Sequence, residues 1–343
     1  MGRTIQRVTF FRGRRGASLL EYIVVVGLIA LVSLAGFRAF GTTVTGKANK
    51  QADCVANLGC TEGNVEPSKG KAFAPRGNFS PPPFDKIKGG KDAKWEPFKG
   101  TPYVAGPGDG SDIHPSDVSQ GQLGDCYLMS GLAELAIRNP DAIKNAIHDN
   151  GDGTYTVTFK EKAPFYQFWD SGYHDVKITV KNEFPTKDGN PVFAKPGDGT
   201  GDNREMWPMI VEKAYAQWKG GYNNIEGGFG TDIMGPLTGK ESSTQGGRNW
   251  EEWFGFDPGF DSIADKWDNG DALTTGTRGS GDKKPLFANG TLVGNHEYYV
   301  TNVDRKNKTI TVRNPWGWKN AEVTLTYDEY KKYFTSLSST KTR

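Results

Sequence analysis

The sequence predicts a mixed α+β protein behind a single apolar helix at the N-terminus, and three patterns carry this prediction. Apolar residues recur at helical spacing over 126–136 and again over 207–218. Two β-rich runs flank a charged turn near Arg305, a pattern typical of a β-hairpin. A mainly apolar run occupies 17–37, and the 343-residue chain is long enough to bury a sizeable core besides.

The apolar run belongs to a separate N-terminal unit, a leader and transmembrane helix over 1–41. Basic residues precede the run and Glu21 is its only charged residue. As a helix the run would span roughly 31 Å, about one hydrocarbon core. The basic residues predict that the N-terminus stays in the cytoplasm and that the bulk of the chain lies outside. Residues 42–94, rich in Pro, Gly and Lys, are predicted to form a tether.

The segment around Gly16 resembles the processing site of type IV prepilins, and of the small Flp-type pilins in particular. It consists of Arg15-Gly16-Ala17-Ser18-Leu19-Leu20-Glu21-Tyr22. The resemblance implies that a prepilin peptidase cuts between Gly16 and Ala17 and leaves Glu21 as the fifth mature residue. Pilus or secretion machinery would then be a partner. The implied location is the bacterial inner membrane with the folded domain outside the cytoplasm, or an extracellular, pilus-associated one. A plain signal anchor is the alternative.

The cysteines divide into a pair and a single residue. Cys54 and Cys60 are close enough for a small disulfide loop in an oxidising compartment, with two free thiols as the alternative. The odd cysteine, Cys126, suits a reactive thiol. The near balance of 42 basic and 40 acidic residues gives no indication of a nucleic-acid partner.

Cys126 stands at the start of the first helical pattern. In the first turn of a helix, unpaired N–H groups and the positive end of the helix dipole favour a thiolate, so we expect a lowered pKa for this cysteine. Gln120 lies shortly upstream, near enough for its side-chain amide to join the Cys126 backbone N–H. Two such donors form an oxyanion hole, which predicts nucleophilic catalysis by the thiol.

The predicted hairpin supplies a base for this nucleophile. His296 opens its first β-rich run and Asn314 follows its second. If the turn centres on Arg305, His296 and Asn314 lie opposite each other, with Cβ atoms about 5 Å apart. A histidine oriented by a polar side chain is the arrangement that a thiol nucleophile requires.

Both motifs resemble those of the calpain-type cysteine proteases. The matching segments are Gln120-Gly121-Gln122-Leu123-Gly124-Asp125-Cys126 and Arg313-Asn314-Pro315-Trp316-Gly317. The resemblance implies a papain-like fold in two subdomains, with a helical half over 95–239 that carries the nucleophile helix. An antiparallel β half over 240–343 would carry the histidine and the asparagine.

The same resemblance implies an endopeptidase that cleaves protein or peptide substrates through a thioester. Its triad would be Cys126, His296 and Asn314, and Trp316 would shield the Asn–His hydrogen bond from water. Glu297, directly after the histidine, departs from the family pattern. Two other functions stay open: a pilin-like structural subunit with an inactive protease-like domain, and a transpeptidase that uses the same chemistry.

Calcium is a candidate cofactor by this resemblance, whereas the peptide-bond chemistry itself requires none. Asp117 matches an acidic calcium-binding position, but Asn223 stands where the family carries a carboxylate. Calcium takes about six to eight oxygen ligands, charged ones in tight sites. The sequence alone therefore leaves calcium control open.

Overall fold

The computed structural model describes residues 82–84, 86–105, 111–163, 172–247, 256–279, 284–317 and 320–343. All of them belong to one compact unit, residues 72–343. The predicted membrane helix, the prepilin site at Gly16, Ala17 and Glu21, and the pair Cys54 and Cys60 lie outside the described residues. Within the described ranges, no helix is both long and apolar enough to cross a membrane.

The first part of the described chain combines helices with two small antiparallel sheets. Its helices are α1 (Cys126–Arg138), α2 (Pro140–Ala146), α3 (Trp207–Trp218) and α4 (Thr231–Thr238). Its strands are β1 (Lys94–Pro97), β2 (Ile147–Asp149), β3 (Thr154–Lys162), β4 (Tyr173–Lys181), β5 (Glu183–Lys187) and β6 (Asn190–Pro191). The sheets have the strand orders β1-β5-β6 and β2-β3-β4.

The second part is organised around one larger sheet. Its strands are β7 (Ser242–Gly246), β8 (Ala272–Thr277), β9 (Glu297–Asp304), β10 (Thr309–Arg313), β11 (Val323–Thr326) and β12 (Phe334–Thr340). Its helices are α5 (Phe260–Asp268), α6 (Pro285–Ala288) and α7 (Tyr327–Tyr333). The strand order is β11-β10-β9-β8-β12-β7, and neighbouring strands are antiparallel. The mixed α+β prediction is confirmed.

Two hydrophobic clusters underlie these two parts. One gathers buried residues between Phe84 and Leu237 and includes the apolar face of α1. The other lies between Phe256 and Leu337, where the large sheet packs against α5 and α7. Ala272 and Tyr299, from β8 and β9, join the first cluster, so α1 is packed directly against the large sheet.

Helix α1 begins and ends through local hydrogen bonds. The Asp125 carbonyl accepts from the N–H groups of Leu128 and Met129, which closes the first turn directly after the Gly124-Asp125 turn. At the other end, Asn139 lies before a proline, which disfavours helical backbone there. Its N–H donates to the Leu135 carbonyl and its side chain accepts from Ala142, so one residue ends α1 and starts α2.

The hairpin of β9 and β10 is present, but the register assumed from the sequence was wrong. Asp304 pairs with Thr309, so the turn is centred beyond Arg305. The Asp304 carboxylate accepts from the N–H groups of Lys306 and Asn307, and Lys308 takes a positive φ of 51°, which closes the turn there. A bulge after Thr311 shifts the pairing again, and beyond the bulge Arg313 pairs with Tyr299.

Candidate active site

Cys126 is the first residue of α1, and its sulfur faces the large sheet. The backbone N–H of Glu297, at the start of β9, donates to the Cys126 Sγ over 3.4 Å. One helical turn further along α1, the Ser130 hydroxyl donates to the Glu297 carbonyl over 3.0 Å. These two contacts hold α1 against β9, the strand that follows His296.

His296 and Asn314 are joined by their side chains even though their backbones are not directly paired. His296 Nε2 lies 2.9 Å from Asn314 Oδ1. The Trp316 N–H donates to the same Oδ1 over 3.1 Å, and because an N–H can only donate, that atom is the amide oxygen. His296 Nε2 therefore carries a hydrogen, and in the neutral ring Nδ1 is left with the lone pair.

Aromatic rings enclose this pair. His296 is 7% exposed and Asn314 is 9% exposed. The Trp316 ring packs on the imidazole with ring centroids 4.9 Å apart, although the indole itself is 46% exposed. The Tyr298 ring meets the imidazole edge-on, with centroids 5.2 Å apart. Water therefore has little access to the Asn–His hydrogen bond from either side.

Cys126 and His296 line the same cleft, which has a volume of about 310 Å³. In the described structure, the imidazole is hydrogen-bonded to Asn314, and the sulfur accepts a hydrogen bond from the Glu297 N–H. No described hydrogen bond joins the sulfur to the ring. Since Nε2 is taken by Asn314, Nδ1 is the ring nitrogen through which His296 would act on the thiol.

The electrostatic state of this pair differs from the sequence expectation. Burial raises the pKa of the Cys126 thiol to about 12; the Glu297 N–H opposes this increase, and the carboxyls of Glu297 and Asp125 add to it. Burial also lowers the pKa of His296, against the effect of the Asn314 hydrogen bond. Loss of solvation thus outweighs the hydrogen bonds made to both side chains, and it favours a neutral thiol and a neutral imidazole in this arrangement.

Gln120 lies close to the nucleophile but directs its amide elsewhere. Its Nε2 donates to the Leu123 carbonyl over 2.7 Å and lies 3.4 Å from Asp125 Oδ1. Its Oε1 is buried without a hydrogen-bond partner in the described structure. Its backbone N–H donates to the Pro315 carbonyl over 2.9 Å, which ties the nucleophile loop to the segment of Asn314.

Asp117 lies beside a second carboxylate, Glu205, which the sequence did not reveal. Asp117 Oδ2 accepts from the His114 N–H and the Trp207 indole. Glu205 is fully buried, its Oε1 accepts from the Val104 N–H, and its carboxyl meets that of Asp117. Burial and the Asp117 charge raise the pKa of Glu205. Glu205 belongs to no recognisable motif, so only the fold reveals the pair.

Asn223, the other position considered for calcium, lies in the short 3₁₀ turn Tyr222–Asn224. Its Oδ1 is buried without a hydrogen-bond partner in the described structure. In the described ranges, no cluster of three or more His, Cys, Asp or Glu side chains is arranged to hold a metal ion. Two carboxylates, Asp117 and Glu205, are therefore the acidic groups available for a cation here.

Comparison with known proteins places most of this structure in one family. The model of the calpain family of cysteine proteases matches residues 109–339. The chain is 30% identical over 216 residues to the calpain-2 catalytic subunit of Gallus gallus and 30% identical over 211 residues to calpain-9 of Mus musculus. It is also 30% identical over 219 residues to the calpain-2 catalytic subunit of Homo sapiens. Each match covers 59% of this chain, and the chain spans only 28% of these relatives.

Proposed function

Since the chain belongs to the calpain family of cysteine proteases, we propose that it is an endopeptidase that acts through Cys126, His296 and Asn314. The observation that carries the proposal is the His296–Asn314 hydrogen bond of 2.9 Å at the wall of the cleft that also contains Cys126. Asn314 holds Nε2 protonated, so that Nδ1 is the basic atom on the imidazole.

The reaction proceeds by nucleophilic catalysis. When substrate enters, the proton of the Cys126 thiol moves to His296 Nδ1 and the sulfur attacks the peptide carbonyl carbon. The resulting imidazolium gives that proton to the departing amine as the C–N bond breaks, which leaves a thioester on Cys126. Water, deprotonated by His296, then attacks the thioester and releases the acid and the free thiol.

The Cys126 N–H and the Gln120 amide stabilise the oxyanion in this proposal. The first N–H groups of a helix lack intrahelical acceptors, so the Cys126 N–H at the start of α1 is suited to this role. Gln120 Nε2 now donates to the Leu123 carbonyl, so the side chain turns away from that carbonyl when substrate binds. Trp316 keeps water from the Asn–His hydrogen bond through its contact with His296.

We propose calcium as the ion that Asp117 and Glu205 hold. Carboxylate oxygens are preferred calcium ligands, and the carboxyls of Glu205 and Asp117 are buried side by side. Calcium bound there would add positive charge beside these two carboxylates. Asp117 lies three residues before Gln120, and Glu205 lies just before α3, so the two side chains would tie the nucleophile loop to the rest of the first part.

We further propose that 17–37 anchors the chain in a bacterial inner membrane, with the protease domain outside the cytoplasm, after prepilin-type cleavage. The Gly16–Ala17 junction and Glu21 support this cleavage by their spacing alone. N-terminal sequencing of protein from the native cell should then begin at Ala17. An intact Met1, or a new N-terminus beyond Phe37, would remove the pilin-type interpretation and the pilus or secretion partners with it.

The protease proposal is tested with the full-length chain and an unfolded protein substrate, with and without calcium. We expect peptide release that Cys126→Ala abolishes. The absence of cleavage under both conditions, from a chain that is folded by circular dichroism, would contradict the proposal and favour a structural, pilin-like subunit. Ligated products in the same digest, identified by mass spectrometry, would instead indicate a transpeptidase.

A further inference from the structure

Glu297 contributes a buried acid to the cleft next to the proposed catalytic residues. It is the first residue of β9, directly after His296, and it is 4% exposed. Glu297 is one of the residues that line the cleft with Cys126 and His296. Its backbone is held on both sides by α1, through the Cys126 sulfur and the Ser130 hydroxyl. The position of the carboxyl relative to the nucleophile is therefore well defined.

Among the described residues, the carboxyl of Glu297 has hydrogen-bond donors but no positive partner. The Thr274 hydroxyl donates to Oε1 over 2.6 Å, and the Gly230 N–H also donates to this carboxyl. The charged group that acts on it is Asp232, which is negative and exposed. Burial raises the pKa of Glu297 to about 7. A buried carboxylate without a cation is costly, and a cation that arrives with a ligand removes that cost.

The walls of the cleft leave space for such a ligand. Glycine backbone forms much of the lining, and the side chains around it are mainly polar; the lining residues besides the catalytic pair include Gly228, Gly247, Gly276, Thr277, Thr335 and Ser336. At Gly276, a Cβ would lie 2.8 Å from Glu297 Oε2 and 2.5 Å from the Ser336 hydroxyl. With glycine at this position, no side chain stands between this part of the cleft wall and the Glu297 carboxyl.

These features favour one class of substrate side chain. Phe229 is the apolar side chain in the described lining, whereas hydroxyls, backbone and one carboxyl make up most of the rest. An aliphatic side chain would find few apolar contacts there and would bury Glu297 without a partner. A lysine or arginine side chain would place its alkyl stem along the glycine walls and its charge beside the carboxylate.

We propose that Glu297 is a specificity-determining residue that selects substrates with a lysine or arginine in this cleft, beside the scissile bond. The inference rests on the proposed peptidase function, since it concerns which peptides that site accepts. Peptides with an acidic residue at the same position are rejected, because two carboxylates would then share one buried site.

The proposal is tested by profiling cleavage with the full-length chain. A mixed peptide library is digested and the cleaved bonds are identified by mass spectrometry, followed by kcat/KM for matched peptides with arginine, glutamine or glutamate at the selected position. We expect enrichment of basic residues at one position near the cut. Glu297→Gln keeps the shape and an acceptor for Thr274, and it should lower the arginine-to-glutamine ratio of kcat/KM by roughly 10- to 100-fold.

The matched control is Asp232→Asn, which removes a nearby exposed charge that does not line the cleft. It should change the arginine-to-glutamine ratio by less than about 3-fold. If both variants lower the ratio equally, general attraction at the surface explains the preference and the role of Glu297 is wrong. A wild-type profile without basic enrichment, or a preference that survives Glu297→Gln, would also overturn it while leaving the peptidase function intact.

A binding measurement separates failure of the inference from failure of the proposed function. Full-length Cys126→Ala is titrated by calorimetry with the arginine and glutamine peptides, and the titration is repeated with Cys126→Ala/Glu297→Gln. Tighter binding of the arginine peptide that disappears in the double variant supports the inference even if no cleavage occurs. Equal binding of both peptides to Cys126→Ala contradicts it.

Discussion

At the scale of single residues, Asn314 has a defined task. Its amide oxygen accepts hydrogen bonds from the Trp316 N–H and from His296 Nε2. One residue therefore sets both the tautomer and the orientation of the imidazole. The orientation of the amide is itself determined by a backbone donor. These hydrogen bonds therefore determine that Nδ1 is the ring nitrogen that Asn314 leaves available.

We predict that Asn314→Ala lowers kcat/KM by roughly 10- to 100-fold, because His296 stays present but loses its preferred tautomer and orientation. Cys126→Ala should cost far more, since no nucleophile remains. Asn302→Ala, on the exposed side of β9, is the matched control and should leave kcat/KM close to the wild-type value. Unchanged activity in Asn314→Ala, with an unchanged circular dichroism spectrum, would mean that Asn314 does not orient the base.

At the scale of elements, α1 connects the two parts of the described structure. It carries Cys126 at its first position and packs against α4 at Gly131, where a Cβ would lie 2.5 Å from Ile233 Cγ2. Its Ser130 hydroxyl reaches the carbonyl of Glu297 on β9. Near its last turn, Arg138 lies over the Trp267 ring of α5 at 3.4 Å. The position of Cys126 thus depends on packing along the whole helix.

We predict that Gly131→Ala destabilises the fold by about 1–3 kcal/mol, because the added methyl group overpacks the α1–α4 contact. Denaturant unfolding of the full-length chain measures this change. Ile137→Ala, in the same helix at a side chain that is 38% exposed, should have a much smaller effect. Equal effects of the two substitutions would show that the close approach at Gly131 does not limit stability.

At the scale of the whole molecule, the described arrangement keeps the proposed catalytic pair neutral. The Cys126 thiol has a pKa of about 12, and the sulfur is bonded to the Glu297 N–H instead of the imidazole. A thiolate requires His296 to approach or solvent to enter. In our proposal calcium would act at Asp117, shortly before the loop that carries Cys126, and at Glu205, just before α3.

We predict slow alkylation of Cys126 at pH 6 without calcium and markedly faster alkylation with it, because a thiolate–imidazolium pair reacts much faster than a buried thiol. Mass spectrometry of the Cys126 peptide separates this residue from Cys54 and Cys60. His296→Ala should abolish the acceleration, and Asp117→Asn should shift it to higher calcium concentration. Slow labelling of a folded chain under both conditions would contradict the protease proposal.

Buried carboxyls make the stability of the whole molecule depend on pH. Burial raises the pKa of Glu134 to about 8, against the charge of Arg138, and raises that of Glu297 to about 7. Both values lie above 4.5, the ordinary pKa of a glutamate side chain. Between the unfolded and folded pKa values of these two carboxyls, the native state binds more protons than the unfolded state. Their contribution to stability is therefore complete below about pH 4.5 and is lost as the pH rises toward 8.

We therefore predict that the melting temperature falls between pH 5.5 and pH 8.5, as measured by circular dichroism at constant ionic strength. Glu134→Gln removes one of the titrating groups and should flatten the dependence. Glu241→Gln, at an exposed carboxyl whose pKa is lowered by Lys341, should not change the slope in this window. A melting temperature that rises with pH would show that these carboxyls are ionised in the native state.

The sequence by itself determined the local features of the site. Turn residues followed by helical spacing put Cys126 at the start of α1, and β-rich runs around a charged turn predicted the hairpin of β9 and β10. These features depend on neighbouring residues in the chain, so spacing and residue type are enough to reveal them. The approach of His296 to Asn314 was also predicted, although through a register that the structure does not have.

Only the tertiary structure decided what depends on burial and on contacts between distant segments. The pKa of Cys126 rises because α1 is buried against the large sheet, an effect that a helix N-terminus alone does not reveal. Glu205 meets Asp117, and Glu297 meets Thr274 at the cleft, only after segments far apart in sequence have packed. Desolvation and charge pairing act over a few ångströms in space, whatever the separation of the groups along the chain.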